Sequence, residues 1–410
     1  MVARSNIRRQ RAAVEVAFGI DGTGTIGSYL DIRSTATEHP RETQEFIEDN
    51  IVRSRRVLAP ASQLGWRRGS LTVGGQLVST GIIYDAAAVP AVDALGVVLR
   101  AIMGGQAAAA GSLVASGASA TGVTVTGASG SRFPEGTLVL VETAVSSGLY
   151  ELTGIDTRST DALAFCTSLS FTPAVGARVL NGDLYYETDQ PAQTLQWLVE
   201  GEDRDDIWLY VGCQGALSVE WPLGGEVGWS TQQMFCDRIH DDEIATPQGG
   251  SAMSQWTPTG SAPIIARNGK IVFAPAAGTL RTMPSIAALT FDPGITWQEV
   301  TSFNGVEGRT GWERVTGQPM ATIQIPRSTA GETYKDAMVA GTIYRLLAQA
   351  GVAGGRTLGL HLPSVQIVGI TPQSLNGLDY LQLSLRCLPD SGLTSQGTDL
   401  LRAQYRLARL

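Results

Sequence analysis

The chain reads as a mainly β protein: two like units in tandem, each with a flanking helix, and a small β-domain inserted into the first. Three observations predict this. The 48 glycines fall between short runs of alternating apolar and polar residues, which is how turns are spaced in a β-rich protein. An order of segments recurs, with a Gly-Trp pair opening an alternating strand and an apolar run closed by glycine following it. The pair is Gly65-Trp66 in one half and Gly311-Trp312 in the other, with the runs ending at Gly104-Gly105 and Gly351. Within the first half, residues 106–182 shift in composition toward Ala, Gly, Ser, Thr and Val.

The elements follow in order. Residues 1–30 are a basic arm, a strand over Ala12–Phe18 and a Gly-rich turn. Residues 31–60 are polar, with strand pieces at Glu45–Glu48 and Asn50–Arg53. The alternation of Ser70–Val78 predicts a strand, and Ala91–Met103 a helix apolar almost all round, hence packed against a sheet. In 106–182, alternation at Gly122–Thr126, Thr137–Glu142 and Gly148–Leu152 with closely spaced turn signals predicts a small sandwich or barrel. It sits as an insertion on a loop, where extra chain costs least.

The β pattern resumes at Leu184–Tyr186 and continues through Thr194–Val199, Asp206–Cys213 and Ala216–Trp221. Residues 241–284, carrying Pro247, Pro258, Pro263 and Pro275, read as a connector. Beyond it come strands at Ser285–Phe291, Met320–Ile325, Val365–Ile370 and Leu378–Leu388. The run from Tyr334 through Leu347 reads as helix-like, and Leu400–Leu407 as a terminal helix. The expected domains are 1–105 with 183–284, the insert 106–182, and 285–410.

Composition limits the function. With 43% hydrophobic and 17% charged residues the chain is expected to fold, not to remain disordered. A net charge of −8 speaks against tight binding to a phosphate backbone. Cys166, Cys213, Cys236 and Cys387 show neither metal spacing nor a disulfide framework, and read as scattered thiols in a reducing compartment. No secretory leader and no apolar stretch of membrane-spanning length is recognised, so folding in a cytoplasm is expected.

Chemistry-bearing motifs each have a simpler explanation. Gly22-Thr23-Gly24-Thr25-Ile26-Gly27 matches the dinucleotide fingerprint, but the β-branched sequence after it, stopped by Pro40, gives no helix to hold a pyrophosphate. His240-Asp241-Asp242-Glu243, near Asp237, is the densest set of potential metal ligands, without the glycine-spaced loop that would curl it round an ion. With only His39, His240 and His361 available, a nucleophilic site has few bases. His361 lies in an apolar strand-like run, and the pairs Asp205/Asp206 and Asp241/Asp242 would point to opposite faces of a strand. No catalytic, cofactor or metal residue is therefore assigned. Trp197, Trp208, Trp221 and Trp229 crowd one β-stretch, as core or subunit packing, or alternatively as a sugar-binding platform.

Taken in order, these segments resemble the tail tube proteins of tailed bacteriophages, in the lineage whose subunit carries tandem tube units. The resemblance rests on Ser70–Val78 followed by Ala91–Gly105, on Trp208–Val219, on Thr316-Gly317, on Leu360–Val365 and on Gly377–Tyr380. It covers about 1–105 and 183–390, leaving 106–182 as an added decoration domain. It implies that each unit is a β-sandwich flanked by a helix, with one sheet lining a ring. Six units of four strands would close a barrel of roughly 24 strands and about 45–50 Å backbone diameter, wide enough for duplex DNA. Three chains per ring are favoured, and six remain possible. The rings would stack into a virion tail tube assembled in the host cytoplasm, with an acidic lumen through which DNA slides without specific binding. Its partners would be itself, tape measure, terminator, baseplate and, in a contractile tail, sheath. The alternative is a β-rich surface or carbohydrate-binding module.

Overall fold

A computed structural model describes residues 9–14, 30–32, 34–37, 41–47, 63–78, 94–105, 110–188, 194–200, 207–222, 224–236, 238–240, 264–266, 269–276, 285–306, 309–315, 317–327, 330–375, 377–390 and 399–410. Among these residues the fold is mainly β, an extended antiparallel sheet system plus a closed six-stranded antiparallel barrel.

Before the barrel the chain forms β1 (Arg9–Val14), β2 (Leu30–Ile32), β3 (Ser34–Thr37), β4 (Arg41–Ile47), β5 (Gln63–Leu71), β6 (Val73–Gln76) and helix α1 (Ala94–Met103). The first strand begins at Arg9, ahead of the expected Ala12, while residues 15–18 of that expected strand and the expected piece Asn50–Arg53 fall outside the described residues. In α1 Leu95–Leu99 and Ala101–Met103 are buried, as an apolar circumference requires, and Arg100 reaches partly to solvent. The helix packs on β1 and on the strands that follow the barrel.

The insert is β7 (Gly111–Ser119), β8 (Gly122–Val125), β9 (Leu138–Glu142), β10 (Tyr150–Ser159), β11 (Ala162–Phe165) and β12 (Arg178–Leu180). They close in the order β10-β11-β8-β7-β12-β9. Alternation sends Val123, Val125, Val139, Val141, Ile155, Leu163 and Phe165 inward to a core of the barrel's own. Leu138, Leu140, Tyr150 and Leu152, from the opposite faces of β9 and β10, pack instead against the body.

The body resumes with β13 (Asp183–Tyr186), β14 (Leu195–Glu200), β15 (Ile207–Pro222), β16 (Gly228–Cys236) and β17 (Arg238–His240). The two expected strands Asp206–Cys213 and Ala216–Trp221 are one continuous strand. It pairs with β14 up to Cys213 and with β16 from Gln214 onward. Gly212 sits at this exchange of partners with φ +64, a conformation that glycine adopts without a Cβ clash.

Next come β18 (Lys270–Pro275), β19 (Ala288–Asp292), β20 (Thr296–Val306), β21 (Arg309–Val315), β22 (Met320–Pro326) and helix α2 (Ala330–Val339). The chain ends with β23 (Ile343–Ala350), β24 (Leu358–Leu375), β25 (Leu378–Leu388), helix α3 (Asp399–Arg402) and β26 (Arg406–Arg409). The segment expected as a connector thus contains β18, which pairs with β23. The expected helix-like run from Tyr334 to Leu347 is helix only to Val339; Gly341, at φ +67, turns the chain and Ile343–Leu347 are strand. The expected terminal helix Leu400–Leu407 is likewise overturned. Only the single turn of α3 is helical, because Arg406–Arg409 pair with both β24 and β13.

The pairing order repeats along the chain. In the first half β1 pairs with β14, β3 with β6, β4 with β5, β6 with β16, β14 with β15, and β15 with both β16 and β17. In the second half β18 pairs with β23, β19 with β22, β20 with β21, β22 with β25, β23 with β24, and β24 with both β25 and β26. A helix follows the counterpart strands β6 and β22 in each half. The halves share one hydrophobic core, which runs from α1 and β15 through β19 and β22 to β24 and β25.

Candidate functional site: the polar face and edges of the shared sheet

The first half contributes the order β3-β6-β16-β15 and the second β19-β22-β25-β24. They are joined edge to edge, because Val219–Pro222 of β15 pair antiparallel with Ala288–Phe291 of β19. One register row crosses the joint through Trp229, Val219, Phe291, Ala321, Leu385 and Ile367, all buried. The neighbouring row runs through Gln76, Gly228, Glu220, Thr290, Thr322, Ser384 and Gly369. Successive strand residues point to opposite faces, so the sheet has an oily side under the helices and a polar side away from them.

That polar side is built from amides and hydroxyls. Gln324 donates from Nε2 to Gln373 Oε1 at 3.2 Å, and Gln373 donates to Gln382. The hydroxyls of Ser218 and Ser230 lie 2.9 Å apart. Charges are few: Glu220 is exposed, and in the next row Asp292, Met320 and Arg386 place opposite signs on one line. Among the described residues this face carries few charges, of both signs.

The joint between the halves is clasped from one side by the β20–β21 hairpin. Trp297 donates its indole N–H to the carbonyl of Gly215 at 2.9 Å, and Trp312 donates to the carbonyl of Gly212 at 2.8 Å. Both acceptors lie where β15 changes partner, a point at which the ladder leaves backbone groups to be satisfied from elsewhere. The Gly-Trp repeat seen in the sequence thus has a described role in its second copy.

The barrel is fastened to the second half by buried polar contacts. Glu151, fully buried, accepts from Lys270 Nζ at 2.8 Å and from the backbone N–H of Ser170 at 2.8 Å. Gln349 acts as a strand partner, its Oε1 accepting from Leu152 N–H at 2.8 Å and its Nε2 donating to Tyr150 O at 3.0 Å. Arg345 donates to the Cys166 carbonyl. Buried Arg406 donates from Nη1 to His361 Nδ1 at 3.2 Å, which leaves the imidazole proton on Nε2, 3.9 Å from Cys166 Sγ.

This Cys-His pair lacks the polarity of a nucleophile and its base. Burial raises the Cys166 thiol, and burial together with the Arg406 and Arg345 charges lowers His361 well below the ordinary imidazole value. Both groups are held neutral, whereas an activated thiolate needs the reverse.

Gly22–Gly27, His39, Asp205, Asp206, Asp237 and Asp241–Glu243 fall outside the described residues, while His240 ends β17. Among the described residues no three His, Cys, Asp or Glu cluster as metal ligands, and no helix is long and apolar enough to cross a membrane. Trp197, Trp221 and Trp229 are core residues and form no exposed aromatic platform. No protein-family model matches the chain, and no curated protein matches its sequence.

Proposed function

We propose that this protein is a structural subunit that assembles head to tail into stacked rings, forming the tail tube of a tailed bacteriophage and the channel through which its DNA leaves. The observation that carries the reading is the repeated pairing order, with its two four-stranded sheets already joined edge to edge by β15 and β19. A contact that joins unit one to unit two in one direction is heterologous. Repeated between chains with a closing rotation, it gives a ring.

Three chains of this kind bring six sheets and roughly 24 strands, a closed barrel with no exposed edge. A neutral surface of Gln, Thr and Ser suits a channel for DNA, since it offers neither the cations that bind phosphate nor bulky side chains that snag bases. On this reading the chain has no catalytic role, and the barrel decorates the outside of the ring. Three chains per ring follow from two units per chain; six chains would be needed if one unit alone lined the channel. Sedimentation velocity across a concentration series tests the proposal. Growth from monomer to discrete rings and then to longer polymers is expected, and a monomer at every concentration, with partner tail proteins added, contradicts it.

A further inference from the structure

The repeat makes the missing contact specific, and the argument rests on the ring reading above. Within the chain, the second unit grips the first in two ways: β19 adds to the edge of β15 at Val219–Pro222, and the tryptophans of the following hairpin take the carbonyls of Gly212 and Gly215. The corresponding parts exist at the outer ends of the chain. Strand β3 pairs with β6 as β19 pairs with β22, and among the described residues it has no partner on its other side. Strand β24 pairs with β25 through Leu375, and its other edge beyond Gln366 has no described partner. Leu195 opposite Cys213 in the first half matches Tyr344 opposite Val365 in the second, which sets Gly212-Cys213-Gln214-Gly215 against Ser364-Val365-Gln366-Ile367.

From this correspondence we infer that the edge of β24 over Ile370–Leu375 receives Ser34–Thr37 of a second copy, as an antiparallel ladder equivalent to β15–β19. The β24 edge is suited to a short, selective ladder. Thr371, Pro372, Gln373 and Ser374 are all exposed, and Pro372 lacks an N–H, which discourages indiscriminate strand addition along its length. The partner is a copy of this chain because the only strand shown to fit such an edge, β19, has its counterpart in β3.

Disulfide trapping tests this. Ala36 shares a row with Gly74 on the polar side of β6, the side that carries Thr371 and Gln373 in β24. Ala36→Cys chains are mixed with Thr371→Cys or Gln373→Cys chains and oxidised with glutathione disulfide, and Glu220→Cys/Thr290→Cys serves as the control within one chain. Opposed strand residues are close enough for a disulfide, so one of the mixtures is expected to give a covalent dimer within assembled rings. Rings without that dimer, while the control closes, overturn the edge assignment and leave the ring reading intact. Absence of rings from the parent protein removes the ring reading and this contact with it.

Discussion

Trp312 and Gly212 are a hundred residues apart, yet the indole N–H of the first closes on the carbonyl of the second at 2.8 Å. Trp312 belongs to the hairpin of the second repeat and Gly212 to the strand exchange of the first, so this bond and its Trp297–Gly215 companion measure how firmly the halves are joined. Trp312→Phe preserves the aromatic ring and deletes the donor to the Gly212 carbonyl. A loss of about 1 kcal/mol in urea unfolding is expected, and a similar loss for Trp297→Phe. No change in the unfolding midpoint for either variant would show that the clasp does not stabilise the joint.

Acid sensitivity is expected from the barrel's attachment. His361 is fully buried against Arg406, Cys166 and Arg345, with Asp390 behind Arg406, and its folded-state value lies well below 6.5. Its neutral form is therefore the folded form. Its contribution to stability is complete above about pH 6.5 and falls as pH drops from there toward the folded value, by up to about 1.4 kcal/mol per pH unit. His361→Gln is expected to lower stability at pH 7.5 but to flatten the slope between pH 5 and 6.5. An unchanged slope would place the acid sensitivity elsewhere.

Glu151→Gln keeps the shape of the buried side chain and removes its charge. Lys270 is more than a third exposed and can return to water, so the main loss is the charged acceptor for Ser170. A destabilisation of roughly 1–3 kcal/mol is expected, with faster proteolysis in the barrel's attached face. Lys270→Met should cost less than Glu151→Gln; the opposite order would mean that the ion pair, not the Ser170 contacts, dominates.

The barrel can be separated on paper at one point. Gly111 and Leu180 are ladder partners, and Asn181 N–H reaches the Ala110 carbonyl at 2.8 Å. Residues 110–181 expressed alone are expected to fold on their own core, giving cooperative thermal unfolding. The remainder closed by a short Gly/Ser link is expected to expose Val272, Ala274, Leu347, Ala408 and Leu410 and to bind a hydrophobic dye more strongly. A barrel fragment that remains unfolded would show that its packing on the body is required for folding.

What the sequence reveals here is local and periodic. The alternation at Val123-Thr124-Val125 and Leu138–Val141, the apolar circumference of α1 and the change in composition at the insert all translate directly into structure, because each depends on neighbours in the chain. The remainder depends on partners far away. Arg406 lies in the run Leu400–Leu407 that reads as a terminal helix, yet it and Arg409 are buried in a strand because β13 and β24 offer backbone partners and His361, Leu400 and Val78 accept from the guanidinium groups. Tyr344–Leu347 have a helical pattern continuous with Tyr334, and only the turn at Gly341 and pairing with β18 and β24 make them a strand. The Gly-Trp repeat was visible, but not that its second tryptophan caps the other repeat's exchange point.

The most direct measurement is negative-stain electron microscopy of the purified protein across a concentration series. Rings with a central channel and outer knobs in threefold repeat, stacking into tubes as concentration rises, are the predicted result. Compact particles without a channel at every concentration, and with partner tail proteins present, would contradict the account at its centre.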